Sequence, residues 1–275
     1  MFRKRLFSSL VWVLFCALVI FRFPSWAFRL VVTATVGLGL FEFYSLAEQK
    51  GYRVGKFFST GMGMLVPLLA HHPAPGPQVI ALHTFLVVLF FLGFFGYQFA
   101  KRENRGSLAG LSLAIAGIIY VAVLFSFLIP LHNASPGAVA FLLLVVKGGD
   151  IGAYVIGSTV GKHPLIPRIS PTKTIEGTIG GLLVSMGIGG IAYIFLVGGV
   201  PDAVQNRTSA LGMGLFLGIV GLFGDLAESL IKRDCGVKDS RKFIPGMGGV
   251  LDVIDSVLFT APLFYAWMIF SMKAF

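Results

Sequence analysis

Charge is what this sequence has least of. Only 12% of its 275 residues are charged, where a soluble domain carries about a quarter. So few charges cannot cover a water-facing surface, which excludes an ordinary soluble globular domain. Cysteine is nearly absent as well. Cys16 and Cys235 are far apart and sit in or near apolar segments, which excludes a disulfide framework and a cysteine-based metal site. No internal repeat, low-complexity stretch or separate soluble domain interrupts the chain. Acidic residues are the scarcer sign, 12 against 22 Lys and Arg, and leave a net charge of +10. In a chain this apolar, that excess reflects loops held on one side of a membrane and anionic lipid headgroups, and no nucleic-acid partner is expected.

What the sequence has is length of apolar run. Hydrophobic residues make up 56%, with 27 Phe and 35 Gly, and glycine is more frequent in membrane helices than in soluble ones. Against the roughly 20 residues a spanning helix needs, nine runs qualify as candidates: 7–22, 27–47, 57–71, 78–99, 108–130, 137–160, 175–198, 209–231 and 250–271. The third is short, and the sixth contains Lys147 and Asp150. The expected fold is all-α, a polytopic integral membrane helical bundle of about nine transmembrane helices.

Loop charges test that count. With Arg3, Lys4 and Arg5 in the cytoplasm, alternate loops should be basic, and they are. They hold Lys50, Arg53 and Lys56, then Lys101, Arg102 and Arg105, then Lys162, Arg168 and Lys173, and finally Lys232, Arg233, Lys238, Arg241 and Lys242. Only Arg22, Arg29, Arg207 and Lys273 fall on the other side. The N-terminus is therefore expected in the cytoplasm and the C-terminus outside. The start also has a signal peptide's outline, ending in Ser25-Trp26-Ala27, but bulky Trp26 and the lack of a small-x-small cleavage site favour a retained helix.

Gly177 with Gly181, and Gly214 with Gly218, put smooth strips on two helices and are expected to pack them closely. Glu42 and His83 are intramembrane and either pair within the bundle or line a lipid entry. His71 and His72 fall at an outer helix end. Asn133-Ala-Ser135 and Asn206-Arg-Thr208 match the glycosylation pattern, a short pattern that chance produces often.

Ionisable groups at membrane depth point to function by default. Asp225, Glu228 and Lys232 recur at i, i+3 and i+7 on one face of the eighth run. Asp252 and Asp255, three apart, open the ninth. Between them lies a polar loop with Lys238, Asp239, Arg241 and Lys242. Carboxylates from two helix ends beside several bases suit nucleotidyl transfer. Hard oxygens take Mg²⁺, which is shared with substrate phosphates, and bases neutralise charge on the reacting phosphoryl group. The plainer alternative is a juxtamembrane loop whose acids pair with its bases and whose bases meet anionic lipid. A second polar region joins the sixth and seventh runs. Asp150 precedes Gly152-Ala153-Tyr154, and Ser170-Pro171-Thr172-Lys173-Thr174-Ile175-Glu176-Gly177 reads as a turn and helix start. Ser170 or Thr172 would cap it, Pro171 would sit in its first turn, and Lys173 would face an anion.

These residues carry a resemblance. The run from Ser229 through Lys232-Arg233, Lys238-Asp239, Pro245-Gly246-Met247-Gly248-Gly249 and Asp252-Val253-Ile254-Asp255 resembles the signature of the phosphatidate cytidylyltransferases, the CDP-diacylglycerol synthases. The blocks Asp150–Tyr154 and Ser170–Gly177 resemble that family's other motifs. The match covers roughly 150 to 265, while the earlier helices fit by hydropathy only. The division expected is 1–130, N-terminal membrane helices, and 131–275, the region resembling the catalytic core.

The resemblance implies a helical membrane enzyme that takes CTP and phosphatidic acid to CDP-diacylglycerol and pyrophosphate in phospholipid biosynthesis. Asp225 and Asp252 would hold Mg²⁺, with K⁺ as a second ion. Lys232 would contact phosphate, with Glu228, Ser229, Lys238, Asp239 and Asp255 supporting the site. Ser170, Lys173 and Glu176 would belong to the substrate surface, together with Asp150 and Arg233. It further implies a bacterial inner-membrane protein with its site facing the cytoplasm, and homodimerisation as the family's habit. Two positions depart: the family has His where Met247 stands and Arg where Val253 stands. Met cannot carry a proton and Val cannot pair with phosphate. Other readings are a diverged non-catalytic paralogue binding lipid or nucleotide, a related transferase acting on another lipid phosphate, and a transporter. Acids gathered at one membrane face, rather than at the midplane, disfavour the transporter.

Overall fold

A computed structural model describes residues 14–69, 77–100, 106–196, 204, 206–237 and 248–272. Nine helices occur among these described residues. The first, α1, covers 14–22. It is followed by α2, Ser25–Gln49, α3, Lys56–Leu69, and α4, Pro77–Phe99. Then come α5, Ser107–Ala134, and α6, Pro136–Val160. The chain continues with α7, Ile175–Phe195, α8, Arg207–Asp234, and α9, Val250–Met272. Each expected run contains a helix among the described residues, while 7–13, 70–71 and 197–198 lie outside them. Seven of the nine, α2 and α4 to α9, are long and apolar enough to cross a membrane. The 14-residue α3 is shorter than a span, since its rise of about 21 Å falls short of a hydrocarbon core of about 30 Å.

Local chemistry sets the helix ends. Ser135 accepts the Gly137 N–H ahead of Pro136 at the first turn of α6. Asn206 and Ser209 form a reciprocal capping box on α8. Both glycosylation-like matches thus contain a helix cap. The start of α7 differs from expectation. Thr174 caps it by accepting the Gly177 N–H at 3.1 Å, whereas Ser170 and Thr172 do not cap it. The reason is that Ser170–Thr174 is extended and pairs antiparallel with Pro164–Ile166, Pro164 opposite Thr174 and Ile166 opposite Ser170. This small ribbon, β1 with β2, amends the all-α expectation; the membrane-crossing part is helical throughout the described residues.

A continuous core runs from Val19 and Ile20 through Val36, Leu40 and Tyr44 of α2 to Leu251, Leu258 and Phe264 of α9. Helix α2 is central, whereas α4 is peripheral and exposes Phe85, Leu92 and Phe99. The expected glycine strips do bring helices together. A Cβ at Gly181 would lie 2.7 Å from the Ala153 Cβ, and one at Gly214 would lie 2.5 Å from the Ser185 carbonyl oxygen. In α5 a π-helical turn, Ile118–Val123, interrupts the α geometry.

Hydrogen bonds gather the basic loops onto one face. Lys50, after α2, donates to Asp234 at the end of α8. Gln98 near the end of α4 donates to the Arg53 carbonyl at 2.9 Å. Arg233 of α8 donates to the Ile169 carbonyl in the ribbon at 3.2 Å. The ends of α2, α4 and α8 and the ribbon before α7 therefore share a face, which is the alternation that the loop charges called for.

Candidate active site

The site begins with the way α9 enters the bundle. Gly248 has φ +94°, which strains any side chain, and a Cβ there would lie 2.5 Å from Asp252 Oδ2 and push that carboxylate aside. The first N–H groups of any helix lack partners. Here the Gly249 N–H donates to Asp252 Oδ2 at 2.6 Å. The next two, Val250 and Leu251, donate to Glu42 Oε1 and Oε2 at 3.0 and 2.8 Å. Glu42, an intramembrane acid of unassigned role in the sequence, pairs within the bundle as the cap of α9. His83 instead lines an apolar cavity with Met62, Leu86 and Phe90.

Helix α8 meets this entry closely. A Cβ at Gly224 would lie 2.5 Å from the Asp255 carbonyl oxygen. Across the contact, Lys232 pairs with Asp252 at 2.5 Å and with Glu228, which is fully buried. One turn earlier, Asp225 pairs with Lys173 of the ribbon at 2.5 Å, and Ser229 donates to its other oxygen at 3.4 Å. Deeper still, Lys147 of α6 reaches Asp150 at 3.1 Å, Ser256 at 2.6 Å and Asp255 at 3.6 Å.

The ribbon is fixed from both sides. Glu176 accepts the backbone N–H groups of Lys162 and His163 at 3.0 and 3.2 Å and meets the His163 ring at 2.6 Å. Arg233 grips the ribbon turn, as above, and also donates to the Val237 carbonyl at 3.4 Å. Ser170 is buried. At the rim, the hydrogen bond to Asp234 raises the Lys50 ammonium above its ordinary pKa.

Five acids, Asp150, Asp225, Glu228, Asp252 and Asp255, therefore face three lysines, Lys147, Lys173 and Lys232. Among the described residues no three His, Cys, Asp or Glu side chains form a ready metal cage.

A model of the cytidylyltransferase family matches residues 3–271. The chain belongs to the cytidylyltransferase family. Among relatives, the phosphatidate cytidylyltransferase of Staphylococcus aureus (strain COL) is 37% identical over 204 residues, 74% of this chain and 75% of its own. That of Staphylococcus saprophyticus is 33% identical over 229 residues, 82% and 85%. The uncharacterized protein YnbB of Escherichia coli (strain K12) is 44% identical over 140 residues, 50% and 45%.

Of the residues singled out in this cytidylyltransferase sequence, the structure joins Asp225, Glu228, Ser229, Lys232, Asp252 and Lys173 at the α8–α9–ribbon junction, and Asp150 with Asp255 just beneath. Glu176 and Arg233 hold the ribbon in place. Lys238 and Asp239 lie outside the described residues, as do Arg241, Lys242, Met247 and the His71–His72 pair. Three contributors carried no motif signal of their own. Ser256 links Lys147 and Asp150, Gly224 admits α9, and Glu42 holds its first turn.

Proposed function

We propose that this integral membrane protein transfers CMP from CTP to phosphatidic acid, giving CDP-diacylglycerol and pyrophosphate. The observation that carries the reading is that Asp225 of α8 and Asp252 in the first turn of α9 each pair with a lysine, Lys173 and Lys232, on two helices that pack closely at Gly224. Phosphatidate cytidylyltransferase is also the name borne by the two staphylococcal relatives. Mg²⁺ held by Asp225 and Asp252 would supply charge neutralisation at the triphosphate.

The chain's own residues do the rest. An oxygen of the lipid phosphate attacks the α-phosphorus in line. The new P–O bond forms as the α–β anhydride breaks, and pyrophosphate leaves with that electron pair. No protein nucleophile is required, because the acceptor is itself an anion. Lys232 and Lys173 pass from carboxylate to phosphate oxygens and spread the developing charge. Arg233 and Glu176 keep the ribbon, and so Lys173, over Asp225. The basic face would lie toward the cytoplasm, where CTP is made, in a bacterial inner membrane.

The test supplies purified protein with CTP, Mg²⁺ and phosphatidic acid and follows CDP-lipid and pyrophosphate. Asp225→Asn or Asp252→Asn should abolish both products while the protein still inserts. Full turnover by both variants ends the assignment. Parallel reactions with other lipid phosphates would reveal a different acceptor. Val253 leaves a neutral side chain beside Asp252, so Met247→His with Val253→Arg should raise the rate if those two positions limit it.

A further inference from the structure

Lys147 has no place in the phosphate chemistry above, yet a lysine in the middle of an apolar helix is costly to keep. It lies near the midpoint of the 25-residue apolar helix α6, where a lysine costs about 2.5–3.5 kcal/mol to insert. Its ammonium is met by oxygens from two helices. Asp150 Oδ2 is at 3.1 Å, Ser256 Oγ at 2.6 Å and Asp255 Oδ1 at 3.6 Å. Ser256 in turn donates to Asp150 Oδ2 at 3.3 Å, and the Ser256 N–H donates to Asp255 Oδ1 at 2.6 Å. Three oxygens around one positive centre would be part of the shell of a potassium or ammonium ion, with water completing it. Asp255 is nearly buried and Asp150 only partly open, so without a cation here two carboxylates would repel each other beneath Asp225.

We propose that the Lys147 ammonium is a tethered monovalent cation: it fills, between Asp150, Asp255 and Ser256, the position of a potassium-sized ion. It thereby frees the enzyme from any free ion there, in place of the K⁺ that the family resemblance brings. Its consequence for turnover rests on the transferase reading; its consequence for stability does not. Removing the lysine from this half-buried cluster leaves uncompensated charge, which a cation or the protonation of a carboxylate can relieve. Lys147→Ala opens room for that cation among the same oxygens. Lys147→Met removes the charge but keeps the space filled.

Wild type, Lys147→Ala and Lys147→Met are purified and assayed with CTP, phosphatidic acid and Mg²⁺ in buffers whose monovalent cation is K⁺, NH₄⁺ or tetramethylammonium. Thermal unfolding is recorded in the same buffers. Wild type should differ by less than about twofold among the buffers, while Lys147→Ala falls at least about tenfold in tetramethylammonium. K⁺ or NH₄⁺ should restore Lys147→Ala, in rate and in Tm, and should not restore Lys147→Met. Should Lys147→Ala extract as a folded protein only in K⁺ or NH₄⁺, that outcome equally supports the proposal. A wild-type requirement for K⁺, or a Lys147→Ala variant indifferent to the cation in both rate and Tm, overturns it. If no condition yields CDP-lipid from wild type, the transferase reading fails and the Tm comparison alone decides the role of Lys147.

Discussion

Glu42 in α2 accepts a 2.8 Å hydrogen bond from the backbone N–H of Leu251, 209 residues later in the chain. Its other oxygen takes the Val250 N–H, so one buried carboxylate closes the first turn of α9. A negative group at a helix N-terminus also complements the helix dipole. Since Asp252 is the next residue, the N-terminal helices set where a proposed metal ligand stands. Glu42→Gln keeps the shape but turns an N–H donor toward a backbone N–H. It should lower stability by about 1–3 kcal/mol, measured as a fall in Tm of the detergent-solubilised protein, and should reduce transfer as well. An unchanged Tm would show that α9 is held by other contacts.

Gly248 makes a sharper test of the same entry. Its φ of +94° is disfavoured for any side chain by about 1–2 kcal/mol, and the added Cβ would collide with Asp252 Oδ2. Gly248→Ala should therefore cost more in transfer than in folding, since the collision falls on the carboxylate rather than on the helix packing. The expected outcome is a loss of at least about tenfold in kcat/KM, roughly the rate equivalent of 1.4 kcal/mol, with normal extraction and a small Tm change. Equal rates for the variant and wild type would remove Asp252 from the reacting centre.

Most of the helical frame was legible because apolar length and alternating loop charge are strong, redundant signals. The positions of α6, from 137–160 expected to Pro136–Val160 found, and of α9, from 250–271 to Val250–Met272, follow from hydropathy alone. The ribbon was not legible. Ser170-Pro171-Thr172 has the residues of a helix start, and only the pairing of Ser170 with Ile166 shows that the strand wins. The grouping of Asp225, Glu228 and Lys232 was legible from helical spacing. The role of Glu42 was not, because its partners are backbone groups more than 200 residues distant, and no local pattern encodes such a contact. Lys147 and Asp150 were visible as misplaced charges, but Ser256, an ordinary hydroxyl in an apolar helix, gave no sign that it joins them.

Lys173 offers a test of how the site exchanges its counter-ions. Its ammonium is 2.5 Å from Asp225 Oδ2, where a divalent ion bound by Asp225 would have to compete with it. Lys173→Gln removes the competitor and also removes a positive group from the phosphates. The Mg²⁺ concentration for half-maximal rate should fall, while the maximal rate drops about 10- to 100-fold. Opposite movement of those two quantities is the signature sought. A raised Mg²⁺ requirement would instead mean that Lys173 helps to bring the ion in, through a bound nucleotide.

The last prediction concerns which way the basic face points. Lys50, Arg53, Lys162 and Arg233 belong to loops and helix ends that hydrogen bonds tie to one face, and the proposed function, with the bias of Lys and Arg, expects that face in the cytoplasm. Both native cysteines are free, and burial pushes the Cys235 thiol up, so each can be replaced by serine to give a quiet background. Tyr52 is exposed in the loop after α2, and Asn133 is exposed at the far end of α5. A membrane-impermeant maleimide added to intact expressing cells should label Tyr52→Cys poorly and Asn133→Cys well, and inverted vesicles should reverse the pattern. The reverse result in intact cells would place Asp225 and Asp252 away from cytoplasmic CTP. No arrangement of lysines and carboxylates at that junction could then serve the proposed transfer.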